Sequence, residues 1–243
     1  MKALILAAGV GSRLGNITQD IPKCLVEING KPMLEHQLDA LIANGVKEIV
    51  IVLGYKGEKI KKFISSQEKF KNSDFIFLEN QDYGNTNSSY SFWLARDHIK
   101  NSQYLHFNSD VVFEPKLLQS LINHQEKNVL LVDKNIELND SMEQVVLDGN
   151  RIIFMDKANL PDACGRGSGM AKLSPEAAKL MLNKAEEHIN LGDRNQHCHG
   201  LMRSALQKVP FYALSPENIF FTEINTKEEL KAAEEKMRKW QAK

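Results

Sequence analysis

The sequence predicts an α/β protein with a Rossmann-like mixed, mostly parallel sheet flanked by helices, and a small β-hairpin inserted in its second half. Three observations predict it. Short, essentially apolar runs recur at Lys2 to Ala8, Val46 to Leu53 and Val129 to Val132, with the character of strands buried on both faces. The segments between such runs carry apolar residues at helical spacing, so strand and helix alternate as in βαβ units with right-handed crossovers. Asp148-Gly149-Asn150, flanked by Gln144 to Leu147 and Arg151 to Met155, is a tight turn of the kind that joins antiparallel strands.

Taken in order, the first strand breaks sharply at Gly9. Pro32 suits the first turn of a helix whose apolar positions are Met33, Leu34, Leu38, Leu41 and Ile42, and Gly45 suits its stop. Val46 to Leu53 closes the first βαβ unit. Glu58 to Ile64 reads as a helix, Asp74 to Leu78 as a strand, Ser88 to Ile99 as one helix, Gln103 to Phe107 as a strand and Pro115 to Gln125 as a helix. Beyond the hairpin, helices are expected at Pro175 to Ile189 and His199 to Leu206, and a strand near Ile219 to Thr222. A closing helix starts at Lys227, with Thr226 and Glu229 as its capping box. There is no internal repeat or low-complexity linker, so the 243 residues are read as one domain, 1–243, with the hairpin or lid insertion at about 134–170.

Lys plus Arg is 31 and Asp plus Glu is 31, which removes the basic excess that accompanies binding to nucleic acid or anionic membranes. No segment approaches the roughly 20 apolar residues of a membrane helix. Cys24, Cys164 and Cys198 are widely spaced and form no CxxC pair, so they read as reduced thiols of a cytoplasmic protein. Composition is compatible with a homodimer and does not settle the oligomeric state.

Chemistry in an open α/β sheet belongs outside the carboxyl ends of the strands. There the chain places Ala7-Ala8-Gly9-Val10-Gly11-Ser12-Arg13-Leu14, and ten residues later Pro22-Lys23. Glycines let backbone amides approach a polyphosphate, and a guanidinium and an ammonium add charge, so these elements describe a triphosphate cradle. A Walker loop is absent, and a dinucleotide fingerprint would need glycine where Leu14 stands and an acid where Gly54-Tyr55 stands. Asp110, in Asn108-Ser109-Asp110-Val111, is a carboxylate at the sheet edge opposite the cradle; taken alone it equally suits a turn, and opposite a triphosphate it suits magnesium.

Leu6 to Leu14, Pro22-Lys23-Cys24-Leu25 and Gly30-Lys31-Pro32-Met33, in that order, resemble the opening of the sugar-phosphate nucleotidyltransferase superfamily. The resemblance extends over nearly the whole chain and is loosest at 134–210. It implies that Leu6, Ala8, Gly9, Gly11, Ser12, Arg13 and Lys23 bind the nucleotide, together with Gln81, Asn85, Thr86 and Asn108. Arg13, Lys23 and Asp110 become the catalytic residues, and Asp110 and Asn225 the ligands of Mg²⁺, with Glu223 the other candidate to complete the metal site. Many relatives carry a carboxylate where Asn225 stands, so a weaker metal site is expected; capping of the last helix is the other role open to Asn225.

The stretch Tyr83, Asn85, Asn87 and Ser88 to Ser91 is more similar to the phosphocholine and phosphonate cytidylyltransferase branch than to hexose-phosphate enzymes. That implies CTP as nucleotide and a small phosphate or phosphonate acceptor, contacted by Asn87, Ser88, Tyr90, Lys134, Lys157, Arg166 and Glu223. For Tyr90 core packing competes with this role, for Lys157 an exposed salt bridge, and for the Gly165 to Met170 run a flexible lid ahead of a strand. His197-Cys198-His199 has no distant partners for a tetrahedral metal site and reads as a surface turn. The expected activity is Mg²⁺-dependent transfer of CMP from CTP with release of pyrophosphate. The rivals are a sugar-1-phosphate nucleotidyltransferase using UTP or dTTP and a non-catalytic nucleotide-binding protein.

Overall fold

The computed structural model describes residues 1–241. Strand β1 (Lys2–Ala7) leads through 3₁₀ turns into a short hairpin, β2 (Glu27–Ile28) and β3 (Lys31–Pro32), and then α1 (Met33–Ala43). There follow β4 (Glu48–Leu53), α2 (Gly57–Ser66), β5 (Asp74–Glu79), α3 (Ser88–Leu94), α4 (Arg96–Ile99), β6 (Tyr104–Asn108), β7 (Val111–Phe113) and α5 (Pro115–Asn123). The second half holds β8 (Val129–Asp133), β9 (Gln144–Asp148), β10 (Arg151–Asp156), β11 (Gly165–Leu173), α6 (Pro175–Asn190), α7 (Cys198–Leu206), β12 (Phe211–Leu214), β13 (Phe221–Glu223) and α8 (Lys227–Gln241).

Nine strands form one mixed sheet in the order β5-β4-β1-β6-β11-β8-β12-β10-β9. The α/β class and the mixed sheet match expectation, but the parallel part is smaller than expected. It is confined to β5, β4, β1 and β6 and to the β8–β12 pair. From β11 onward antiparallel pairing dominates, because β11 runs antiparallel between β6 and β8 and β10 runs antiparallel to both β12 and β9. The predicted hairpin is β9–β10. It extends the main sheet through β12 and closes back onto the start of β11, so it is hydrogen-bonded to the sheet instead of standing off it as a lid.

The period of two in β1 divides the core. Ala3, Ile5 and Ala7 pack with α1, α2 and α5 on one face, while Leu4 and Leu6 join α3, α6 and α7 on the other. A third, smaller core gathers Leu14, Val26, Ile28, Met33, Val112, Phe220, Ile224, Ala233 and Met237. It fastens the loop after β1 to the β7–β13 pair and to α8, so the cradle rests on apolar packing of its own.

Two further differences from the sequence reading have local causes. The helix expected over Ser88 to Ile99 is interrupted at Ala95, whose φ of −83° and ψ of 3° lie outside the helical well and separate α3 from α4. Gly165 to Met170 is strand, not a flexible run before one. Its glycines serve close approach: a Cβ on Gly165 would lie 2.7 Å from the Asp133 carbonyl, and one on Gly169 would lie 2.4 Å from the Asn108 amide.

Candidate active site

The carboxyl ends of β1 and β6 open into a cavity of about 680 Å³. Leu6, Ala8, Gly9, Gly11, Ser12 and Arg13 line one side of it. Gly11 has φ 71°, and a Cβ there would meet the Lys23 Cβ at 2.9 Å, so only glycine lets the loop turn left-handed while the lysine stem lies across it. Thr18 locks the turn by donating its hydroxyl to the Gly11 carbonyl at 3.0 Å, and Leu14 anchors it in the third core.

Lys23 and Arg13 converge on one amide. The Lys23 ammonium donates to Asp110 Oδ2 at 2.5 Å and to Asn225 Oδ1 at 2.9 Å, and Arg13 donates to the same Asn225 oxygen at 2.7 Å. Asn225 Nδ2 donates in turn to Glu223 Oε1 at 3.2 Å. An amide is what this position requires, since its two ends face opposite charges: cations at Oδ1 and a carboxylate at Nδ2. The capping box of α8 holds it there. Glu229 Oε2 accepts from the backbone amides of Asn225 and Thr226, and Thr226 Oγ1 accepts from the Glu229 amide at 3.2 Å.

Asp110 Oδ1 is buried with no hydrogen-bond partner. That orphaned oxygen and Asn225 Oδ1 are hard ligands of the kind magnesium takes one or two of, leaving its other positions to phosphate and water. The residues present therefore fit the metal. Among the described residues no group of three or more His, Cys, Asp or Glu could hold an ion by themselves. Glu223 is otherwise engaged, accepting from the Gly169 amide at 3.3 Å and lying 3.8 Å from Arg166.

At the base of the cavity Asn80, 2% exposed, donates to Thr86 and Ser91 and accepts from the Asp82 amide, which shapes the turn before α3. Thr86, Asn87, Ser88 and Asn108 line the cavity as expected, and Asn80 lines it with them. Asn85 does not line it: it is exposed and donates to Asp82. Gln81 lies instead in an adjoining cavity of about 570 Å³ with Lys56, Lys59 and Tyr83.

The far end is framed by Glu143, Lys157, Arg166, Glu223 and three residues of α7 and its approach, His197, His199 and Arg203. Lys157, Arg166 and Glu223 were expected here. Tyr90 and Lys134 do not reach it: Tyr90 stacks on Trp93 with centroids 5.9 Å apart, and Lys134 is exposed beyond β8. The three α7 residues were missed. Asn87 N donates to the Arg194 carbonyl and Ser89 N to that of Gln196, both at 3.0 Å, so the segment before α7 runs beside the start of α3 and is no free surface turn. Cys198 is buried beneath, its amide donating to Ser88 Oγ at 2.9 Å.

The tautomers of the two histidines follow from their partners. The Ser168 carbonyl can only accept, so the His199 Nε2 that lies 3.1 Å away carries a proton. His197 Nε2 faces the Asn87 amide nitrogen at 3.4 Å and is the acceptor, because Asn87 Oδ1 is already taken by the Ser88 amide. Partial desolvation, then the charges of Lys157, His199 and Arg13, hold His197 below the ordinary histidine pKa and keep it neutral. Burial pushes the Cys24 thiol up to about 12 and the Cys198 thiol up as well, so neither is a thiolate nucleophile. Among the described residues no helix is long and apolar enough to cross a membrane.

Known proteins resemble the chain at both levels. A CTP:phosphoglutamine cytidylyltransferase of Campylobacter jejuni subsp. jejuni serotype O:2 is 36% identical over 140 residues, 56% of this chain and 53% of that protein. A mannose-1-phosphate guanyltransferase of Schizosaccharomyces pombe is 40% identical over 117 residues, 47% of this chain and 31% of its own. The aligned part thus spans about half, or less, of these relatives. The solved inositol-1-phosphate CTP transferase of T. maritima superposes with a TM-score of 0.79, covering 99% of this chain and 96% of that one at 23% identity, which shows the shared fold. The family pattern described as nucleotidyl transferase matches residues 2–143, more than half of the chain, and the chain belongs to that family.

Proposed function

We propose that the protein is a magnesium-dependent cytidylyltransferase, joining CMP from CTP to a small phosphate or phosphonate acceptor of the phosphocholine or 2-aminoethylphosphonate type and releasing pyrophosphate. The observation that carries the reading is the convergence of Lys23, Arg13, Asp110 and Asn225 at one end of a cavity whose other end holds Lys157 and Arg166. Two substrates that are both anionic need a site cationic at each end with a metal locus between. Cytidylyltransferases among the relatives favour CTP.

The acceptor oxygen is already anionic, so no general base is required, and catalysis consists of alignment and charge neutralisation. The loop from Gly9 to Arg13 presents backbone amides to the triphosphate. Lys23, released from Asp110 and Asn225 as the nucleotide enters, transfers its charge to the reacting phosphates. Lys157 and Arg166 hold the acceptor in line. Magnesium, held by Asp110 and Asn225, would neutralise the charge that accumulates on the phosphate oxygens. The free thiols fit a reducing cytoplasm.

The test is pyrophosphate release with Mg²⁺, crossing CTP, UTP, ATP, GTP and dTTP against phosphocholine, 2-aminoethylphosphonate and glucose-1-phosphate. Turnover confined to CTP with a phosphorus acceptor other than the sugar phosphate is expected. Turnover with UTP or dTTP and glucose-1-phosphate would replace the reading with a sugar-phosphate transferase. Nucleotide binding without pyrophosphate would leave a binding protein.

A further inference from the structure

Resting on the magnesium locus just proposed, we infer that Gln37 is a positioning residue for Asp110, a clamp set behind the cavity wall that fixes the turn carrying the carboxylate. Gln37 lies on the buried face of α1, about one turn from Leu34 and Leu41 and beside Leu38, all four fully buried. The other buried positions of that helix are apolar: Met33, Leu34, Leu38, Ala40 and Leu41. An amide among them costs free energy unless its polar atoms are paired.

The pairing is one-sided. Gln37 Nε2 donates to the Asn108 carbonyl at 2.9 Å and to the Val111 carbonyl at 2.8 Å, so both amide hydrogens go to the two ends of the turn between β6 and β7. Gln37 Oε1 is buried without a hydrogen-bond partner. An apolar side chain of the same length would escape the cost of that orphaned oxygen, so what glutamine contributes here is its two donors. Gln37 lines neither cavity and acts on a substrate only through the turn it holds.

That turn, Asn108-Ser109-Asp110-Val111, is fastened at two further points. The Ser109 amide donates to the Leu6 carbonyl at 3.2 Å, and the Ile224 amide donates to the Asp110 carbonyl at 3.0 Å. The first bond ties the turn to β1, and the second ties it to the residue before Asn225. Gln37 completes the set from the α1 side, holding the carbonyls on either side of Asp110. The carboxylate then keeps Oδ2 on Lys23 and Oδ1 buried and unpartnered, aimed as a ligand must be before its ion arrives. Without the clamp the Asn108 and Val111 carbonyls lose this donor, and the turn rotates toward other partners and takes Asp110 with it.

The experiment measures Mn²⁺ affinity by electron paramagnetic resonance, with a non-hydrolysable CTP analogue bound, in the parent and in Gln37→Met, which keeps the side-chain length and removes both donors. The dissociation constant should rise roughly 10-fold or more, the scale on which groups that orient a metal ligand act, while affinity for the analogue without metal stays close to that of the parent. A purely structural role lowers the urea midpoint and leaves the Mn²⁺ constant of the folded protein unchanged, and that result overturns the inference. If Gln37→Met does not fold, Gln37→Glu, whose buried neutral carboxyl keeps one donor in place, carries the same comparison with a smaller rise. Failure of both to fold assigns Gln37 to the fold alone and also overturns it. Mn²⁺ bound by the parent and weakened in the variant, with no pyrophosphate released by either, removes the transfer reading and keeps the clamp. No Mn²⁺ bound by the parent removes the metal locus and the inference with it.

Discussion

The two ends of the cavity are built on different plans. At the end proposed for the nucleotide one loop of consecutive residues, Gly9 to Lys23, leaves a central parallel strand and rests on a small core of its own. At the end proposed for the acceptor Glu143, Lys157, Arg166 and Arg203 arrive from three antiparallel strands or their flanks and from a helix that begins at residue 198. A cradle for a triphosphate needs backbone amides in close sequence, which a single glycine-rich turn provides. Recognition of a variable small molecule needs side chains in chosen directions, which several elements supply better than one. On the proposed function, the fold separates the part that handles the nucleotide from the part that selects the acceptor.

Substitutions at each end should break this comparison in different ways. The largest effect is expected for Lys23→Ala, which removes the cation common to Asp110 and Asn225; turnover should fall roughly 1,000-fold with circular dichroism unchanged, on the scale of losing one preorganised charge donor. Near-normal turnover would move the chemistry away from this end. Asp110→Asn should cost roughly 100-fold and abolish the response of tryptophan fluorescence or calorimetry to added Mg²⁺ in the presence of nucleotide.

Asn225→Asp would place a second carboxylate about 3.2 Å from Glu223 and neutralise Arg13 and Lys23 more strongly. The KM for the nucleotide should rise roughly 10-fold, while the acceptor KM stays close to that of the parent. A matching rise in both would join the two ends into one unit.

Gly169→Ala probes the seam, because β11 lies there against Asn108 of β6. The clash should destabilise the fold by about 2 kcal/mol, read as a shift of the urea midpoint, and weaken nucleotide and acceptor together.

The smallest effect is a pH dependence of stability. His106, buried in β6 beside Phe92 and Tyr104, is held at about 3 by burial and then by the nearby charge of His199. Its folded pKa lies below the unfolded value near 6.5, so its full contribution is present above pH 6.5 and is lost as pH falls toward 3. The urea midpoint should drop between pH 7 and 5, and His106→Leu should flatten that drop.

Legibility in the sequence follows the same division. Gly11, Arg13 and Lys23 stand within thirteen residues and announce phosphate chemistry by type and spacing, and the Thr226 to Glu229 capping box was readable because it is a local bond pattern. Asp110 was readable from its place after a strand. His197, His199 and Arg203 carried no such signal. What gives them a role is the pairing of 194–196 with 87–89, more than a hundred residues apart, and nothing in either segment encodes the other. Gly165 to Met170 misled for a related reason, since glycine that permits flexibility and glycine that permits contact look alike until the neighbour is known.

By itself, then, the sequence determined the α/β class, the glycine-rich loop, the cation pair and the caps, all of which depend on dihedral preference and periodicity over a few residues. Only the tertiary structure decided that the later strands run antiparallel, that one asparagine binds two cations on one side and an acid on the other, and that Lys157, Arg166 and Arg203 meet at one end of a single cavity. Those are properties of burial and of pairing between distant segments, and burial exists only once the chain has closed on itself.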